Sequence, residues 1–280
     1  MVKFLIDSSS DYMMDDLAGK DVLFIPLGVT IDGKDFQSGV DLNQEQFYNM
    51  LISTSDFPKT SMPSPAAFTP YFEEAKAMGD QIVCILLSSA LSGTYQSAVT
   101  AKAMVDYDGI YIIDSLTAAA GIRILLEYGM RLRQQGVDAA AIASALEALK
   151  LRIRIYAALD TLEYLYRGGR LSRAAAAVGT IANLKPIVTI NSEGAVAVVK
   201  KSLSKIRAQK DLLDILTSAD IDSSYPVYTL YSHGTENCEA LEEKLIEAGI
   251  VPTERTQLGP AIGAHVGPGV YGMFLVEKEH

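Results

Sequence analysis

The sequence predicts an α/β fold of two domains. A three-layer α/β/α domain with a parallel sheet is expected over residues 1–150. A smaller α/β domain with a mixed sheet is expected over residues 151–280. Three observations carry this. Short apolar runs alternate with helical patterns through the first half, the rhythm of a parallel sheet covered by helices. Near residue 150 that rhythm changes, and two strand-like runs at 187–190 and 195–200 are joined by a turn at 191–194, too short for a parallel crossover. Finally, 280 residues are many for a single core. No internal repeat or low-complexity linker separates the halves, so they are expected to pack closely.

Taken in order, residues 2–6 and 22–25 read as strands, and 29–31 with the residues after Lys34 as a hairpin around Asp32-Gly33. Helices are expected at 43–53 and 64–78, a strand at 82–87, a helix at 94–105, a strand at 110–113 and helices at 118–135 and 138–150. In the second half a strand at 153–159 precedes a basic, glycine-containing segment, 167–173, and an alanine-rich helix at 174–183. After the antiparallel pair come a helix at 203–217, a strand at 227–231, a helix at 237–248 and a strand at 270–276.

Composition narrows the function. Hydrophobic residues make up 49% of the chain and charged residues 21%, which is ordinary for a globular protein. With 24 Lys and Arg against 34 Asp and Glu the net charge is −10, the wrong sign for a binder of bulk nucleic acid. Two cysteines cannot build a disulfide framework; Cys84, in an apolar run, reads as a buried thiol and Cys238, in a polar helix, as a surface thiol. The N-terminal apolar run meets Asp7 too soon for a signal peptide, and no stretch of 18 apolar residues exists. A soluble, cytoplasmic chain is expected.

The strand ends carry hydroxyls rather than acid–base pairs. Strand one runs into Asp7-Ser8-Ser9-Ser10-Asp11, the strand through Cys84 into Ser88-Ser89-Ala90-Leu91-Ser92-Gly93-Thr94, and the strand at 110 into Asp114-Ser115. Thr60-Ser61-Met62-Pro63-Ser64 precedes a helix. Ligands of open α/β sheets bind outside the carboxyl ends of the strands. Ser92-Gly93-Thr94 also lies where a helix should begin, where unpaired N–H groups and the dipole favour a carboxylate or phosphate. Each cluster alone reads better as helix capping. Four clusters able to converge on one edge favour an anion site. Of the three histidines, His265 is closely flanked by glycines and prolines. That pattern suits either a ring aimed at a ligand or a loop cap.

Other motif matches fail. Gly28 to Lys34 fits seven positions of a P-loop, but Asp35 follows and the segment reads as a hairpin. Ser202-Leu203-Ser204-Lys205 lacks companion motifs, and no His/Cys/carboxylate cluster has metal spacing. No catalytic residue, metal or cofactor is therefore assigned. Arg167, Arg170 and Arg173 stand within seven residues of an acidic chain. They read either as a solvated loop or as a docking patch for an acidic or phosphate-bearing partner.

Together these residues resemble the DegV family of bacterial lipid-binding proteins. The resemblance rests on Asp7-Ser8, residues 60–64, residues 88–98, Asp114-Ser115, Gly169-Arg170-Leu171-Ser172, Lys185-Pro186-Ile187 and residues 265–269 with Gly272. It covers nearly the whole chain in order. It implies one long-chain fatty acid buried between two α/β domains, with its carboxylate held at Thr60, Ser61, Ser92, Gly93, Thr94 and His265. Asp7, Ser8, Ser9, Asp114 and Ser115 would give support. It further implies a non-catalytic subunit of a fatty acid kinase, serving phospholipid synthesis. A separate ATP-binding protein phosphorylates the presented carboxylate, docking at Arg167, Arg170 and Arg173, and transient membrane contact accompanies a lipid cargo. The acyl tail would lie against the helix at 171–184 and the apolar residues around Ile262 and Phe274. The small residues 174–177 either leave room for a long or kinked chain or pack tightly. Competing readings are a stand-alone lipid sensor or carrier, a serine hydrolase using Ser92 or Ser61 with His265 as base, and a kinase in its own right.

Overall fold

The computed structural model describes residues 1–171 and 184–279. Strands β1 (Val2–Asp7), β2 (Val22–Ile25), β6 (Gln81–Leu86) and β7 (Ile110–Asp114) form an all-parallel sheet of order β2-β1-β6-β7. Both faces are covered, so its strands are apolar throughout rather than alternating. Leu5, Ile82, Cys84 and Leu86 pack toward helices α2 (Pro65–Met78) and α3 (Thr94–Val105). Phe4, Ile6, Val83 and Ile85 pack toward α4 (Ala120–Gln134) and α5 (Ala139–Leu149). This is the expected three-layer arrangement.

A small antiparallel sheet of order β4-β3-β5 hangs beside it, built from β3 (Gly28–Ile31), β4 (Lys34–Gln37) and β5 (Lys59–Ser61). Asp32 and Gly33 both have positive φ, as a two-residue hairpin turn of this hand requires. The P-loop-like segment is thus a hairpin. Helix α1 (Gln44–Ser53) is capped by Asn43, whose side chain accepts from the Gln46 N–H while Gln46 reaches back to the Asn43 N–H.

The third sheet is mixed and six-stranded, of order β10-β9-β8-β13-β11-β12. Its strands are β8 (Ile153–Ala158), β9 (Lys185–Ile190), β10 (Val196–Ser202), β11 (Tyr228–Tyr231), β12 (Glu254–Gln257) and β13 (Tyr271–Val276), and only β11 and β12 pair in parallel. Here the side chains alternate. Tyr271, Met273 and Leu275 face outward onto α7 (Lys205–Ser218) and α8 (Glu236–Glu247), while Phe274 and Val276 face the first half of the chain. Cys238 is fully buried on α8, contrary to its reading as a surface thiol. With Leu241 and Leu245 it forms the single apolar stripe of an otherwise charged helix. Two short helices, α6 (Glu163–Arg167) and α9 (Pro260–Val266), are also among the described elements. The segment around His265 is helical up to Gly267, which ends it at φ +74°. No described helix is long and apolar enough to cross a membrane.

The two halves are joined where α9 begins. The Gly259 N–H donates to Asp11 Oδ1 (2.7 Å), the Ala261 N–H to Ser38 Oγ (3.2 Å), and the Tyr48 hydroxyl to the Leu258 carbonyl (3.0 Å). Asp11 is 2% exposed, and its Oδ2 has no partner among the described residues. Burial pushes its carboxyl up to about 7, partly opposed by the Arg123 charge. Folding therefore takes up a proton between about pH 4 and 7, and this contribution to stability is lost as pH rises through that window. Asp11→Asn keeps the acceptor, tolerates the positive φ of 63° and cannot ionise. Urea unfolding should show the variant gaining on the wild type as pH rises from 5 to 8; parallel pH profiles would refute this.

Candidate functional site

A cavity of about 290 Å³ lies between the inner face of the six-stranded sheet and the first half. Ile155, Ala157, Leu159, Val188, Ile190, Leu230 and Phe274 form its sheet side; Leu27, Leu87, Leu91, Ala118 and Ala119 face them, and Ala261, Ile262 and Val266 of α9 close a flank. The space exists because small side chains meet there: Ala118, Ala119, Ala157 and Ala261 are all in the wall. Ala119 is also held at φ +52° with its N–H donating to the Ser9 carbonyl (2.7 Å), a strained conformation for a residue with a Cβ.

Among the described residues of the wall, the polar side chains other than Thr189 gather at one end: Thr60, Ser92, Arg170 and His265, beside Gly93 and Met62. Strand β5 sets Thr60 in place opposite Val29, and α9, packed on β3 and β5, carries His265 to it. Thr60 Oγ1 and His265 Nε2 are 2.8 Å apart. Burial, helped by the Arg170 charge, pulls the imidazole down to about 4, so it is neutral at pH 7. Its Nδ1 is buried without a partner among the described residues. Arg170, just past α6, donates from Nε to the Leu91 carbonyl (2.9 Å) and from Nη1 to the Gly168 carbonyl (2.5 Å). Burial lowers its pKa, yet a guanidinium stays charged. Ser92 Oγ lies 2.9 Å from Thr94 Oγ1 and accepts from the Thr94 N–H (3.3 Å), directly before the first turn of α3. A Cβ on Gly93 would run into the Met62 thioether, so this glycine makes room for a side chain as well as for any ligand.

The remaining hydroxyl clusters do not reach the cavity. Asp7 is fully buried, accepting from the N–H and hydroxyl of Ser9 (2.8 and 2.5 Å) and from the Leu87 N–H (2.8 Å), and burial raises its pKa. Ser8 Oγ accepts from the Leu27 N–H (2.9 Å). Asp114 accepts from the N–H groups of Ser89 (3.0 Å) and Leu116 (3.2 Å), and Ser115 donates to the Thr117 carbonyl (3.1 Å). These groups staple the ends of neighbouring strands; their hydrogen bonds are spent on backbone. Ser61 is exposed, because the alternation of β5 turns it away from Thr60, and Thr94 lies behind Ser92. Arg167 pairs with Glu163 (2.8 Å) and stacks over Phe57, at the surface. Arg173, and the helix expected at 174–183 with its small residues 174–177, lie outside the described residues. Arg170 belongs to the cavity wall rather than to a surface patch. Met62 and Leu91, which lie within the quoted motifs but were not singled out as site residues, also line the wall.

The fold and this cavity define a two-domain α/β protein built around an apolar interdomain space with one polar, cationic end. The chain belongs to the DegV family: the model of that family of uncharacterised proteins matches residues 1–278. A DegV domain-containing protein of Caldanaerobacter subterraneus is 36% identical over 279 residues, 99% of each chain. Among solved structures, a DegV family protein of Thermus thermophilus described as fatty-acid-binding superposes with a TM-score of 0.87 at 28% identity, and a stearic acid-binding protein of Eubacterium ventriosum with 0.88 at 25% identity. Each covers 99% of both chains.

Proposed function

We propose that this protein binds one long-chain fatty acid in the interdomain cavity, carboxylate toward Thr60, Ser92, Gly93, Arg170 and His265, and presents that carboxylate to a partner ATP-dependent kinase. The carrying observation is the polarity of the cavity: among the described residues, a mostly apolar wall runs to a cluster of hydroxyl, imidazole and guanidinium groups. Each buried methylene of the tail contributes about 0.8 kcal/mol. A carboxylate buried with it is costly unless hydrogen-bonded and paired. Arg170 supplies the countercharge, the two hydroxyls supply donors, and the start of α3 adds its dipole. The fatty acids named for the two solved relatives support the same ligand class.

Presentation is supported by exposure at the head-group end. Met62, over Gly93, is 54% exposed, and the floor residues Ala157 and Phe274 are buried. A partner can thus reach the head group without uncovering the tail. The hydrolase reading loses ground here, because the Ser92 hydroxyl is bonded to Thr94 while His265 is bonded to Thr60; nucleophile and base are not paired. Within this proposal residues 1–150 form the domain bearing most of the head-group site and residues 151–280 the domain covering the tail, in a cytoplasmic protein.

Mass spectrometry of the purified protein, native and after solvent extraction, tests the ligand. One fatty acid per chain is the expected result. A ligand-free protein that also takes up no added fatty acid would overturn the proposal.

A further inference from the structure

We infer that Ile155 and Ile190 close the tail end of the cavity and set the length of acyl chain it accepts. This rests on the fatty-acid reading and deepens it. The registers of the mixed sheet order the cavity floor into rows. Phe274 on β13 stands opposite Ile155 on β8, and Val196 on β10 opposite Ile190 on β9. The β8–β9 register pairs Ala157 with Val188, and its continuation by two residues sets Ile155 against Ile190. Val196, Ile190, Ile155 and Phe274 are therefore one row across four strands. The next row toward the head group is smallest at its centre, where Ala157 stands opposite Gly272 between Val188 and Leu230. Leu159 follows, just past the end of β8 and leading into the segment that carries Arg170. From Leu159 back to Ile155 is four residues, or about 13 Å of strand. Along β8 the bulky row thus lies on the side away from the segment that carries Arg170.

A second, separate space of about 30 Å³ lies behind that row. It is walled by Leu116, Lys150, Ile153 and Asn191, among others, and it shares two residues with the main cavity: Ile155 and Ile190. The two isoleucines are the partition between an apolar tunnel and a pit edged by the turn at 150–152 and the hairpin turn at 191–194. Such a partition is a length stop. A chain that fits gains about fourfold in affinity per methylene, and one that reaches the partition gains nothing more, or must displace a packed isoleucine. Trimming an isoleucine to alanine removes three carbons of wall and opens the tunnel into the pit.

The test is competition for the protein among an equimolar ladder of saturated fatty acids, read by native mass spectrometry. Ile190→Ala, and Ile155→Ala with Ile190→Ala, should move the longest well-bound acid upward by roughly two carbons, the surrounding wall recovering part of the space. Ile190→Phe should move it downward. Ile190 is only partly buried, so its single variants keep the test intact even where the double variant folds poorly. A wild type that takes up fatty acids, with the Ile190 variants selecting the same lengths, overturns the length stop alone. A wild type that takes up none overturns the fatty-acid reading and this inference with it.

Discussion

Ala157→Phe is expected to abolish binding of long-chain fatty acids while sparing short ones. Ala157 sits midway along the cavity floor, 5% exposed, opposite Val188 on one side and Gly272 on the other. A new ring there projects from the inner face of the sheet, where Ala157 lines the cavity. It must rise into the cavity and cut the tunnel in two. A long chain would then lose roughly six methylenes of burial at about 0.8 kcal/mol each, roughly 5 kcal/mol, or more than a thousandfold in affinity. A short acid occupying only the head-group end should lose little. Because the ring enters existing space, the fold should lose no more than the roughly 1–3 kcal/mol typical of overpacking. Titration calorimetry with one long and one short acid, beside a thermal melt, reads all three quantities. Unchanged affinity for the long acid would place the tail elsewhere.

The elements legible in the sequence were those whose burial is written as a long pattern. The parallel strands, apolar on both faces, and helices such as α3 and α5 fall within a residue or two of their expected limits. Those that were missed are short or polar. Strand β5 has three residues, Lys59-Thr60-Ser61, and exists by pairing with β3; β12, Glu254 to Gln257, is a polar edge strand; α6 and α9 span one to two turns. Local pattern is too weak in such segments to compete with tertiary contacts.

The candidate site divides on the same line. Ser92 and Gly93 were readable because a helix start has a local signature, and Thr60 and His265 because the ordered motifs resemble a family. Whether a hydroxyl serves a ligand or the backbone depends on groups far away in the chain. Asp7 is spent on Leu87, 80 residues on, and no local pattern distinguishes it from Ser92. Arg170 shows the converse. Its neighbours in sequence suggest a basic surface loop, but its Nε bonds the carbonyl of Leu91, 79 residues away. That contact fixes the guanidinium in the wall beside Ser92.

Arg170→Met should accordingly separate the acid from its uncharged counterpart. Methionine replaces much of the apolar stem but leaves a carboxylate in the cavity without its countercharge. Truncating one partner of a buried charged pair costs about 2–5 kcal/mol, so the acid should lose at least about thirtyfold in affinity. The matching fatty alcohol carries no charge and should change by less than about threefold, or about 0.6 kcal/mol. A second readout distinguishes lost charge from a disturbed fold. The Arg170 cation is one of two causes holding His265 down near 4. With it gone, the imidazole of the ligand-free variant should titrate at higher pH by NMR, burial alone continuing to depress it. Arg170→Lys should keep the low His265 value and restore part of the acid affinity, since the charge returns without the two-pronged geometry that engages Leu91 and Gly168. Equal losses for acid and alcohol, with His265 unmoved, would show that Arg170 only braces the wall and that the carboxylate is held by the hydroxyls and the α3 dipole.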